Sequence, residues 1–236
     1  MLIGIATVVG WQVPWGPRLL FPFTVLATFV HEMGHGLTAM LFGGTFDHLA
    51  IFSDGSGVAV HHGRYGLLAQ AAIPAGGLMG PSLLGGALLA ASRADHIARW
   101  LLLACALVIW ASVLLLVRST FGVVSMTAWA LVLTAVVRFA PTWCAFVLQV
   151  VAVQMALSVF QDLDYMFSPG ASVDGIPRLS DSAAMAQVLI LPYWVWGGVT
   201  ALLSLAAVGI GGWWALRPAT SSVRSRAPGP SRSVPT

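Results

Sequence analysis

The sequence predicts an all-α polytopic membrane protein with about six transmembrane helices and a short β-hairpin after the first. Three observations carry this expectation. Only 8% of the 236 residues are charged, whereas a water-facing domain carries roughly 25%. The apolar residues gather into uncharged runs of about 18–25 residues, the length that crosses a bilayer. Ten tryptophans fit interfacial belts at the ends of such runs, where an amphipathic ring is best placed. The net charge of +3 comes from arginines alone, there being no lysine. It bears on topology, and no nucleic-acid partner is expected. Cys105 and Cys144 both fall in apolar runs and read as packed small hydrophobes, not a disulfide pair.

Residues 1–13 are apolar but too short to span alone. Trp11, Pro14, Trp15 and Pro17 follow closely, so an interfacial or re-entrant piece is expected. It lacks the basic start and cleavage site of a signal peptide. Residues 19–42 form the first span, closed by Gly43-Gly44 as glycines commonly close a helix. Residues 45–62 change character. The β-prone runs 46–52 and 58–60 flank Ser53-Asp54-Gly55-Ser56-Gly57, a turn-forming cluster that predicts a β-hairpin. Its free edge could hold an extended peptide by strand addition. His48, His61 and His62 in this stretch read as surface histidines.

Residues 69–92 form the second span, with Pro74 and Pro81 inside it and Gly76 and Gly80 in G-x-x-x-G spacing. Small residues at that spacing let helices approach closely, and the carbonyls freed by proline need partners within the protein. Residues 100–117, 120–137 and 141–161 are three more uncharged runs, with Arg118 and Arg138 in tight connections. Gln161-Asp162-Leu163-Asp164-Tyr165 follows, then a Pro/Gly/Ser loop over 167–178, then Ser180-Asp181-Ser182 as a helix N-cap region. Residues 189–216 are the last span. Residues 217–236, rich in Arg, Pro and Ser, are expected to form a disordered cytoplasmic tail. With that tail inside, Arg18, Arg93, Arg99, Arg138, Arg217, Arg224, Arg226 and Arg232 also lie inside. Arg64, Arg118 and Arg178 lie outside.

The first span carries His31-Glu32-Met33-Gly34-His35, an H-E-x-x-H pattern. On a helix the two imidazoles leave one face. They can grip a Zn²⁺ ion while Glu32 reaches its water as general base. Glu32 is the only glutamate in the chain, so the pattern arises by chance with a probability of roughly 6 × 10⁻⁴. An ionisable group at bilayer depth costs about 2.5–3.5 kcal/mol on insertion scales. Three within five residues call for a shared partner, and a metal serves all of them. A catalytic zinc takes a third protein ligand. Asp162 and Asp164 are the candidates, pointing about 200° apart on a helix, with Asp162 nearer the apolar run.

These features resemble the site-2 protease family of intramembrane zinc metallopeptidases (metallopeptidase family 50), in its compact branch without a PDZ domain. The resemblance rests on H-E-x-x-H within a transmembrane helix and on the Gly43-Gly44 and hairpin after it. Ser53-Asp54-Gly55-Ser56-Gly57, residues 75–86 and Ser180-Asp181 before the last span add to it. It implies a single peptidase-like transmembrane domain over residues 1–216, with Zn²⁺ as cofactor. His31 and His35 would be ligands and Glu32 the catalytic acid/base. The family's third ligand is an aspartate in an L-D-G context after N-x-P. Leu163-Asp164-Tyr165 matches only L-D, and the compact branch's position looks more like Asp162, with Asp164 as the alternative. The implied partners are the lipid bilayer and a partly unwound transmembrane helix of another protein. Ser53, Asp54 and Gly55 are the expected substrate-binding residues, and Gly34 and Gly36 keep the helix face slim for that backbone. The expected location is a bacterial cell membrane, as a multi-pass integral protein. The alternative is a catalytically inactive membrane metal-binding protein that regulates or transports. Transport favours polar residues lining several spans, of which residues 100–137 offer almost none, and only hydrolysis needs Glu32.

Overall fold

The structure, a computed structural model, describes residues 2–92 and 95–217. Its first two helices, α1 (Leu2–Gln12) and α2 (Gly16–Leu41), meet at a bend of 119°. The chain turns there because Pro17 starts a helix without losing a needed N–H. Gly16 lets the bend close, since a Cβ on it would collide with the Gly10 carbonyl. Helix α1 folds back onto the bundle, where Gln154 Nε2 donates to Thr7 Oγ1 at 2.8 Å. The pair has the shape of a broken or re-entrant span; α2 alone is long enough at 26 residues, and the two reach the hydropathy of a span only together. Helix α2 is diluted by Arg18, His31, Glu32 and His35.

Five further helices are long and apolar enough to cross a membrane. They are α3 (Leu67–Ala91), α4 (Asp95–Leu115), α5 (Thr120–Phe139), α6 (Cys144–Gln161, entered through a turn at Pro141–Trp143) and α9 (Tyr193–Leu216). The chain is therefore an all-α polytopic membrane protein with, among the described residues, five such helices, or six if the bent pair is one span. Helix α3 lies at the centre and continues through both Pro74 and Pro81. Its glycines are the reason it can have so many neighbours. Gly76 meets Gly34 and Thr38 of α2, Gly85 meets the backbone of α6 at Ala156, and Gly86 meets α9 at Ala207 and Gly211. Leu102, Met126, Leu133, Leu148 and Met155 fill the core around α4, α5 and α6.

The expected hairpin forms from β1 (Thr45–Ile51) and β2 (Gly57–His62), paired antiparallel. Its turn uses Gly55 at φ +88°, a conformation that favours glycine. The outer edge of β1 is closed by the α4–α5 connection. Leu49 N–H donates to the Leu116 carbonyl at 3.0 Å, and Arg118 N–H donates to the Leu49 carbonyl at 2.9 Å. Ser119 Oγ accepts Ile51 N–H at 2.8 Å and donates to the Ile51 carbonyl at 2.7 Å.

The stretch expected as a loop over 167–178 is more ordered than that. After a short helix α7 (Leu163–Met166) the chain forms a second hairpin, β3 (Gly170–Val173) and β4 (Ile176–Leu179). Asp174 and Gly175, at φ 50° and 75°, make its turn, as Asp-Gly does in tight hairpins. Helix α8 (Asp181–Val188) follows, capped by Ser180 Oγ accepting Ala183 N–H at 3.2 Å. The two hairpin tips touch, Asp174 N–H donating to Ser56 Oγ at 3.2 Å. The tail expected over 217–236 lies, beyond Arg217, outside the described residues, as does Arg93.

Candidate metal centre

His31 and His35 leave one face of α2, as their spacing requires, and their Nε2 atoms stand 3.0 Å apart. His35 Nδ1–H donates to the Ile73 carbonyl of α3 at 2.9 Å. A carbonyl only accepts, so the lone pair of that ring is on Nε2, aimed at its partner. Gly77 makes room for the ring, because a Cβ there would overlap the imidazole.

A carboxylate joins them from the far end of the sequence. Asp181 Oδ2 lies 3.0 Å from His31 Nε2 and 3.4 Å from His35 Nε2. Among the described residues, these three side chains form a group whose ligand atoms all lie within 4.8 Å of one another. A tetrahedral ion with bonds of about 2.0–2.2 Å sets its ligands about 3.3–3.5 Å apart. The observed spacings need only a few tenths of an ångström of adjustment, so two imidazoles and one carboxylate fit a zinc-type centre.

Asp162 and Asp164 do not join that group. Asp162 caps α6, its N–H donating to the Ser158 carbonyl at 3.0 Å, and lines the cavity wall with His31. Burial pushes its carboxyl up to about 6. Asp164 is exposed and is not among the cavity-lining residues. Asp162 faces the cavity and Asp164 does not, while Asp181 stands within reach of both imidazoles. Helix α6 ends one residue before Asp162, whereas Ser180 starts α8 with Asp181 directly beneath the imidazoles.

Glu32 is 5% exposed. The Ala59 backbone of β2 stands beside its carboxylate, and Gly57 leaves space for it, as a Cβ there would stand 2.8 Å from Oε1. Thr28 Oγ1 donates to the Gly55 carbonyl at 2.7 Å, tying the turn to α2. Between α2, this turn, Tyr165 and residues 171–173 of β3 lies a cavity of about 180 Å³, with His31 and Glu32 in its wall.

Of the expected substrate-binding residues, Gly55 lines the cavity, while Ser53 and Asp54 do not. Asp54 Oδ1 instead accepts Ser56 N–H at 2.9 Å and Ser56 Oγ–H at 2.6 Å, which hold its carboxyl below the ordinary range. Gly34 packs on the α3 backbone at Gly76 and Gly77, and Gly36 on the Phe46 ring. Both slim positions are thus filled by the protein itself. His48 pairs with Asp47 at 3.0 Å and His61 with the Tyr65 hydroxyl at 3.1 Å, away from the group of three.

Apolar helices that enclose two imidazoles, a carboxylate and a buried glutamate define a polytopic membrane protein with a hydrolase-type candidate metal centre. The chain belongs to the M50B-like peptidases, whose family model (Peptidase M50B-like) matches residues 2–211. That places it among the site-2 protease (M50) intramembrane peptidases, a zinc metallopeptidase family. No curated protein and no solved structure matches the chain.

Proposed function

We propose that the chain is an intramembrane zinc endopeptidase that cuts a peptide bond in a transmembrane segment of another membrane protein. The observation that carries this reading is the meeting of His31, His35 and Asp181 in one group inside an apolar bundle, with His31 and Glu32 in the wall of the adjoining cavity. His31 Nε2, His35 Nε2 and Asp181 Oδ2 would hold Zn²⁺. When bound, the ion would polarise a scissile carbonyl and acidify water. Glu32 takes the proton of the attacking water as the C–O bond forms. It delivers that proton to the amine nitrogen as the C–N bond breaks. The Ile73 carbonyl fixes the tautomer of His35.

The substrate reaches Glu32 as an extended segment. The outer edge of β1 is occupied by residues 116–118, whereas β2 borders the cavity at Gly57 and has its Ala59 backbone beside Glu32. An unwound stretch of a substrate helix would pair along β2 as an added strand. Gly55 then contacts it directly, while Asp54 holds the turn through Ser56.

The test uses the purified full chain and a single-span reporter protein reconstituted together in vesicles. Glu32→Gln is expected to lower cleavage by at least about 10²-fold, the smaller end of what a general base contributes, with zinc still bound. His35→Ala is expected to lose the zinc. Cleavage that survives Glu32→Gln overturns the reading. Zinc binding by a wild type that never cleaves favours the inactive metal-binding alternative.

A further inference from the structure

A peptide carbonyl under attack gains negative charge on its oxygen, and preorganised donors aimed at that oxygen accelerate the step. Most polar side chains around the cavity are unable to serve. Thr24 lies two helical turns, about 10 Å, before His31 along α2. Thr28 Oγ1 is committed to the Thr24 and Gly55 carbonyls at 3.1 and 2.7 Å. Ser56 Oγ–H is committed to Asp54. Gln161 and Ser172 are exposed at the rim. Among the described residues, neither arginine nor lysine lines the cavity.

Tyr165 differs from all of these. Its ring stands edge-on to His31 with the centroids 6.2 Å apart. Its hydroxyl oxygen accepts the backbone N–H of Asp181 at 3.2 Å, one residue's breadth from the carboxylate between the two imidazoles. A phenol that accepts from an N–H keeps its own proton, which lies within reach of the Asp181 carboxylate and turns to a substrate oxygen when one enters the cavity.

We propose that Tyr165 is a catalytic residue, its O–H donating to the oxygen of the scissile carbonyl as that oxygen becomes an oxyanion. The inference rests on the peptidase reading above and adds a donor that the H-E-x-x-H motif does not contain.

The experiment measures the dissociation constants of zinc and of a peptidyl phosphinate, whose tetrahedral anion copies the oxyanion, for the full wild-type chain and for Tyr165→Phe. Tyr165→Phe is expected to weaken the phosphinate by about 10²-fold, the lower end for one lost oxyanion donor, with zinc affinity unchanged. Equal phosphinate affinity in the two proteins overturns the proposal. So does a matching loss of zinc affinity, which would make Tyr165 a prop for Asp181. A wild type that binds neither zinc nor phosphinate removes the peptidase reading itself, and that failure shows before any variant is made. Should Tyr165→Phe not fold, Tyr165→3,5-difluorotyrosine keeps the ring and hydroxyl but gives up its proton at lower pH. Phosphinate affinity is then expected to fall as that phenol ionises, followed by its absorbance. Affinity that stays flat through the ionisation overturns the proposal.

Discussion

Asp181 bonds His31 and Asp162 shares a cavity wall with it, but only Asp181 touches the imidazoles. Asp181 Oδ2 is within 3.4 Å of both Nε2 atoms, while Asp162 stands in the wall at the end of α6. The two therefore part in a metal-binding assay. Asp181→Ala is expected to reduce zinc affinity by more than the 10–100-fold, about, that follows loss of an outer partner. Asp162→Asn is expected to leave zinc content near that of the wild type. Metal analysis of the two purified variants checks this, and zinc lost from Asp162→Asn alone would return the ligand role to Asp162. The same contrast shows what a sequence reveals at this scale. His31, Glu32 and His35 were legible because one helical turn sets their geometry. Asp181 is 150 residues from His31, and its neighbours advertise only a helix cap. Ser180-Asp181 reads as a cap, but nothing local says that the residue beside it faces two imidazoles.

The elements around the site depend on one another through a few polar joints. Ser119 is the clearest. Its hydroxyl bonds both the N–H and the carbonyl of Ile51, and it accepts Gly122 N–H at 3.2 Å to cap α5. One side chain thus fastens β1 to the helix pair α4–α5 and leaves β2 as the edge that borders the cavity. Ser119→Ala removes a cap and strands two backbone groups, a loss of about 1–3 kcal/mol. The expected outcome is a lower unfolding midpoint and faster hydrogen exchange at Ile51 and Leu49. Unchanged exchange would mean that the joint does not hold the hairpin. The first hairpin was legible from Ser53-Asp54-Gly55-Ser56-Gly57 between β-prone runs. The second was not, although Asp174-Gly175 is a turn pair, because strands of four residues containing Pro177 resemble loop composition. The close approach of α3 was legible from Gly76 and Gly80. The choice of neighbour at each glycine depends on helix order in space, which spacing does not encode.

For the whole molecule, the contacts fix which ends share a face of the membrane. The two hairpin tips touch through Ser56 and Asp174, and the α4–α5 connection pairs with β1, so residues 53–57, 116–119 and 174–176 lie together. Helix α9 leaves that face at Tyr193 and runs 24 residues to Leu216, about 36 Å at 1.5 Å per residue, enough to cross. Arg118 and Arg178 lie in or beside these connections, Arg64 follows the base of the first hairpin, and Arg217 is at the far end of α9. Arginine excess marks the cytoplasmic side, so the face carrying the candidate metal centre is expected to look outward. Single cysteines tested with a membrane-impermeant thiol reagent on intact cells decide it. Cysteines from Ser53→Cys and Ile176→Cys are expected to label from outside, and the cysteine from Arg217→Cys only after lysis. The native Cys105 and Cys144 sit in α4 and α6, within the apolar bundle, and a wild-type control measures their background. Labelling of residues 53 and 217 from the same side would break the span count on which the cavity's depth depends. Labelling of both hairpin tips only after lysis would keep the bundle and invert it, moving the substrate segment held at β2 to the cytoplasmic side.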